Sequence, residues 1–169
     1  ALSCPSRKQG AKPQYEDCLY LYREFSSEAV RMLLPVVDMG STRQLNSFIA
    51  ALQLGLRETF GGRVDHLHTT VYSDPVPDSA MRKQFLVLFD AVPGGTGYIK
   101  QLVTPARAGG PLKLFEVLAS ALKRLESCAC WTDAERDGCY RCLLGYRNAR
   151  DMDDTSASVA ADLLRQLLA

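Results

Sequence analysis

The fifteen residues from Cys128 to Cys142 constrain this chain most, because they hold four of its six cysteines. The pattern is C-x-C, eight residues, then C-x2-C, with Gly138 placed to allow a tight turn into the second pair. Two close pairs separated by a loop can supply the four soft ligands of a zinc tetrahedron. Zinc held by Cys128, Cys130, Cys139 and Cys142 is the favoured reading. A closed four-thiolate set leaves no position for water, so such a site is structural and not catalytic. Arg136, Arg141 or Arg147 could offset its charge. Three alternatives stay open: two disulfides, four unconnected thiols, or an iron–sulfur cluster. A redox role for the C-x-x-C pair lacks the usual strand-to-helix context. Cys18 reads as a small core hydrophobe, and Cys4 as a loop thiol or a member of a second metal site.

A chain of 169 residues can bury a core without metal, so zinc would brace one end of the fold. The opening ALSCPSRKQGAKPQ reads as an entry into a larger protein. No apolar run reaches the ~18–20 residues of a membrane span, and no leader pattern is visible, so the expected location is cytoplasmic. A net charge of +1 gives no support for tight nucleic-acid binding by this piece alone.

Hydrophobic patterning predicts an α/β or α+β domain, a small mixed sheet covered by helices, with the four-cysteine zinc knob near the C-terminus. Residues 1–14 read as an irregular entry segment and 15–169 as the domain, with the zinc-binding segment at 128–142. Cys18–Phe25 is a strand candidate, and Ala29–Val37 could be helix or strand. A helix starts near Ser41, where Ser41 and Gln44 have capping-box spacing, and ends at Gly61–Gly62. Val64–Val71 is a further extended candidate, with His66 and His68 on one face and a loop at 75–79. Gln84–Val92 is apolar on both faces, which predicts a central strand covered on both sides. Leu112, Phe115, Leu118, Ala119 and Leu122 predict one buried helix face; Val159, Ala160, Leu163, Leu164 and Leu167 predict another.

The turn Pro93-Gly-Gly-Thr-Gly97 follows the best strand. It is neither G-x-G-x-x-G nor a Walker A, so a sharp structural turn is favoured over an anion contact by Gly94, Gly95 and Gly97. Asp90 could cap this loop. Trp131 and Tyr140 are expected to pack the core of the cysteine segment, with base stacking as the alternative. Lys123, Arg124, Arg141, Arg147 and Arg150 flank the cysteines and could form a basic patch, blunted by Asp151, Asp153 and Asp154. A hydrolase or nuclease site would have to lie near Asp65, His66, His68 and Asp90.

FLVLFDAVPGGTGY, the helix after it, CACWTDAERDGCYRCLLGYRN and the closing helix together resemble one family. It is the C-terminal zinc-binding domain of DEAD/DEAH-box helicases of the mitomycin-repair type, also present in the B component of DISARM anti-phage systems. The resemblance covers roughly residues 18–168. It implies the same four cysteine ligands, a glycine motif at Asp90, Gly94, Gly95, Gly97 and Tyr98, and a following motif at Tyr146 and Asn148. Tyr146 and Asn148 would lock the zinc loop to the core. The chain has no Walker A, no Asp-Glu-Ala-His or Asp-Glu-Ala-Asp box and no arginine-finger motif. The resemblance therefore implies a non-catalytic accessory module of a DNA-repair or antiviral-defence protein. Its partners would be helicase core domains in cis or a helicase subunit in trans, with single-stranded DNA engaged through the parent protein. The competing reading is a structural protein–protein interaction module without nucleic-acid contact.

Overall fold

In a computed structural model, the structure describes residues 22–33, 41–62, 64–77, 82–105, 107–133, 135–145 and 151–169. Three strands form a sheet in the order β1-β3-β2: β1 (Ala29–Leu33), β2 (Leu67–Pro75) and β3 (Arg82–Asp90). Both pairings are antiparallel. The helices are α1 (Thr42–Phe60), α2 (Tyr98–Leu102), α3 (Lys113–Glu126) and α4 (Ala157–Leu168). This is a small mixed α/β domain with helices on its sheet and the cysteine cluster beside α3.

The capping chemistry of α1 is as the sequence predicts. Ser41 accepts from the Gln44 N–H, the Gln44 side chain accepts from the Ser41 N–H, and Gly61 ends the helix in the left-handed region at φ 69°. Inside α1, Gly55 has a separate task. A Cβ built there would lie 2.2 Å from the Val117 carbonyl oxygen, so only glycine lets α1 and α3 approach this closely. Ser156 caps α4 by accepting from the Val159 N–H.

One core joins the sheet to the helices through Leu67, Leu86, Leu88, Leu52, Leu56 and Leu164, each about fully buried. Burying a leucine side chain contributes ~1.5–3 kcal/mol, so these contacts hold the helical layer on the sheet.

Several expectations change. β3 is central, but among the described residues it is covered on one face only. Leu86, Leu88 and Asp90 point into the core, whereas Phe85, Val87 and Phe89 are half-buried and lie outside it. Alternation on β3 sends Leu86 and Leu88 to one face and Phe85, Val87 and Phe89 to the other, and the described helices all pack on the Leu86–Leu88 side. Tyr22–Phe25 carries no strand, and the first strand lies further on at Ala29–Leu33; Cys18–Leu21 fall outside the described residues. β2 starts at Leu67 and continues through Pro75, so His66 precedes the strand.

On α3 the buried positions are Val117, Leu118, Ala121 and Leu125, while Leu112 (the N-cap), Phe115 and Ala119 are exposed. Helical spacing fits both stripes, and the contact with Gly55 selects the one containing Val117. On α4, Leu167 is exposed near the chain end.

Candidate metal centre

The first cysteine pair lies just past α3. Cys128 caps a short 3-10 turn, Ala129–Thr132, whose backbone bond from the Trp131 N–H to the Cys128 carbonyl measures 2.9 Å. This turn brings Cys130 back beside Cys128, with the two sulfurs 3.4 Å apart. The second pair forms a tight turn, in which the Cys142 N–H donates to the Cys139 carbonyl at 3.1 Å. Gly138, at φ 113°, supplies the backbone conformation that leads into it.

Two further contacts join the pairs, Cys128 to Cys139 at 3.5 Å and Cys130 to Cys142 at 3.5 Å. Cys139 and Cys142 sulfurs are 3.7 Å apart, and all four lie within 4.8 Å of one another. A tetrahedron with zinc–sulfur arms of about 2.3 Å has edges of about 3.8 Å, so the sulfur set fits one zinc ion. These separations are far longer than a disulfide bond of ~2.05 Å, and the four thiols are free. An iron–sulfur cluster would place several metal atoms between the thiolates and spread them further apart. The four sulfurs would hold Zn2+ as a cross-link between α3 and the segment leading to α4.

Burial pushes the Cys130 and Cys142 thiols up. Burial also opposes ionisation of Cys139, but the backbone N–H of Arg141 and the neighbouring sulfurs outweigh it and lower this thiol to about 7. The Cys139 N–H donates to the Cys142 sulfur at 3.3 Å, a bond that favours a thiolate.

Asp137, which cysteine spacing does not single out, secures this loop. Its carboxylate accepts from Ser156 Oγ at 2.5 Å, the Ser158 N–H at 2.8 Å and the Arg43 guanidinium at 3.2 Å. Burial opposes its ionisation, and these bonds hold the carboxyl below its usual value. The signal was present as an aspartate beside Gly138, but its partners are about 20 to 94 residues away in sequence.

The basic residues separate into roles. Arg124 donates to the Arg141 carbonyl at 3.0 Å and pairs with Glu58 at 3.5 Å, so it braces the cysteine turn against α1. Arg136 pairs with Asp133 at 3.3 Å and, with Arg141, lines a hollow over Cys128 and Cys139. Lys123 is exposed. Trp131 packs on the core under Arg165, whereas Tyr140 is 76% exposed, which corrects the expectation that both fill the core. Arg147, Arg150, Tyr146, Asn148 and Cys4 lie outside the described residues.

At the glycine turn, Asp90 is fully buried. It accepts from the Val92 N–H at 2.9 Å, the Thr96 N–H at 2.7 Å and the Thr96 hydroxyl at 2.5 Å. Tyr98 packs edge-on against Phe60 at 4.7 Å. The Gly94 N–H donates to the Ser26 carbonyl and the Gly95 N–H to the Val92 carbonyl. The amides of Gly94, Gly95 and Thr96 are thus engaged within the fold, which removes the open cradle that an anion contact there needs. Gly97, at φ 85°, caps α2. His66 sits 2.9 Å from Thr96 Oγ1 and 3.8 Å from Asp90, while His68 stacks on Phe89 on the other face of the sheet. The two histidines therefore share no site, and the hydrolytic constellation that the alternative reading required is not assembled by them.

No curated protein and no solved structure gives a significant match to the chain. The family described as the MrfA Zn-binding domain matches residues 48–143, more than half of the chain and a span containing all four clustered cysteines. Nothing in this match or in the cluster indicates a catalytic site. With the matched span and the fourfold sulfur geometry in agreement, this chain belongs to the family of MrfA Zn-binding domains.

Proposed function

We propose that this chain is a non-catalytic accessory domain of a DNA helicase or another DNA-processing protein, in DNA repair or phage defence in the cytoplasm. Its zinc site stiffens a surface that supports the helicase core and helps to engage single-stranded DNA. The core would lie in the same polypeptide or in a partner subunit. The observation that carries this reading is the family match across residues 48–143, joined to a cysteine set whose geometry suits a brace and not a reaction centre.

Residues 15–169 would act as one unit, with Tyr146 and Asn148 tying the zinc loop to the core. Nucleic-acid contact near the metal would come from Lys123 and Arg141, with Arg147 and Arg150 extending the patch. Arg124 would contribute mainly by holding Arg141. The test is binding of a labelled single-stranded oligonucleotide to the zinc-loaded chain at low salt. Reversing charge at Lys123 and Arg141 should weaken binding and flatten its salt dependence. No binding by the unaltered chain would contradict the nucleic-acid part of this reading.

A docking role is favoured by a separate observation: Leu112 and Phe115, at the start of α3, are 36% and 41% exposed. Such side chains suit an apolar contact with the rest of a larger protein. Substituting Phe115 with serine should leave the fold intact and weaken association with the helicase core.

A further inference from the structure

The sequence of β3 is apolar on both faces, yet among the described residues one face has no place in the core. On that face the register sets Tyr72 beside Phe85 and His68 beside Phe89 on neighbouring strands. The Arg31 guanidinium lies over the Phe85 ring at 4.3 Å, and the His68 ring is stacked on Phe89 with centroids 5.8 Å apart. Tyr72 is 49% exposed, and Arg31 and His68 are exposed as well. Lys83 shares the face by alternation and is exposed. The acid on this face is Asp74, already in an ion pair with Arg31 at 3.9 Å.

The face therefore presents flat π surfaces and a guanidinium plane in one layer, with cations at its margin. At the edge strand it runs past His68 into a cleft of about 430 Å³. Asn46, Gln53, Thr69, Asp151 and Thr155 line this cleft with donors and acceptors. The Thr155 hydroxyl already donates to the Asp151 carbonyl, whereas an apolar protein surface would leave the Asn46 and Gln53 amides unpaired. A nucleobase matches both parts, because it has a π face for the rings and a donor–acceptor edge for the amides.

We infer that the open sheet face is a stacking platform for single-stranded nucleic acid. Phe85 and Phe89 are four residues apart on one strand, about 13 Å, which is room for about two or three bases. Bases stack on Tyr72 and on the planes of Arg31 and His68, Lys83 meets a phosphate, and one base edge enters the cleft beside His68. Duplex is a poor ligand, because its bases face one another.

This inference rests on the nucleic-acid part of the proposed function and assigns it a second surface. The experiment measures binding of a short labelled oligothymidine to the zinc-loaded full chain, with zinc content and thermal midpoint recorded for each variant. Tyr72→Ala should weaken binding about five- to tenfold, the usual loss for one stacked base, and Tyr72→Phe should retain it. Arg31→Gln provides an independent exposed position, and the matching duplex should bind worse than the single strand. Unchanged binding in Tyr72→Ala and Arg31→Gln, with loss in the Lys123 and Arg141 charge reversals, would overturn the platform while leaving the proposed function standing. No binding by the unaltered chain would overturn both. Self-association lost in Tyr72→Ala, with oligothymidine binding unchanged, would assign the face to a protein contact and overturn the inference.

Discussion

Asp137 accepts a 2.8 Å hydrogen bond from the Ser158 N–H, which ties the loop between the two cysteine pairs to the first turn of α4. The same carboxylate reaches Arg43 at the start of α1. The metal loop is therefore coupled to both helices through one side chain that is not a metal ligand.

Asp137→Ala should lower stability by about 1 kcal/mol, the loss being moderated because the carboxylate is partly solvated. Its pH dependence follows from the sign of the shift. The folded carboxyl lies below the ordinary 3.8, so its contribution is present above that value and is lost as pH falls through the lowered one. Thermal midpoints of the parent and the variant should differ at neutral pH and converge in strong acid.

Asp90→Ala should cost more, ~2 kcal/mol, because it leaves the Val92 and Thr96 N–H groups of a part-buried turn without their partner. Burial opposes ionisation of Asp90, and the bonds from Thr96 and Val92 outweigh it, so its carboxyl also titrates below 3.8. Urea unfolding at neutral pH should show the loss, and exchange of the Thr96 amide should quicken.

Gly55→Ala should destabilise by ~1–3 kcal/mol or more, since the added methyl meets the Val117 carbonyl and two helices must part. Gly62→Ala, at a left-handed position with open space around it, should cost less. A shift in the urea midpoint that is larger for Gly55→Ala checks the ranking.

Local signals were legible in the sequence, and contacts between distant segments were not. The capping box of Ser41 and Gln44, the end at Gly61 and the cap of α4 depend on residues within one turn. The cysteine pairs were legible because metal ligands recur at short spacings. The buried stripe of α3 was not, because Phe115 and Val117 sit on two apolar stripes that local spacing cannot rank. The open face of β3 escaped for a related reason. Phe85 and Phe89 look like core residues in sequence, and only the placement of the helices leaves them outside it. The role of Asp137 was not legible, although the aspartate beside Gly138 was, because its partners belong to α1 and to the residues around the start of α4.

Zinc affinity should rise with pH. Cys130 and Cys142, pushed up by burial, must lose protons before all four sulfurs can serve as thiolates. Competition with a chromogenic chelator, measured across the neutral range, should show progressive metal loss towards acid and proton release when zinc is added at constant pH.

The decisive measurement is the metal content of the purified chain under metal-retaining conditions, for the parent and for Cys139→Ser. The structure predicts one zinc ion per parent chain, with binding weakened and the thermal midpoint lowered in Cys139→Ser. A metal-free parent chain, equally stable with and without added zinc and with its cysteines free or oxidised, would contradict the account.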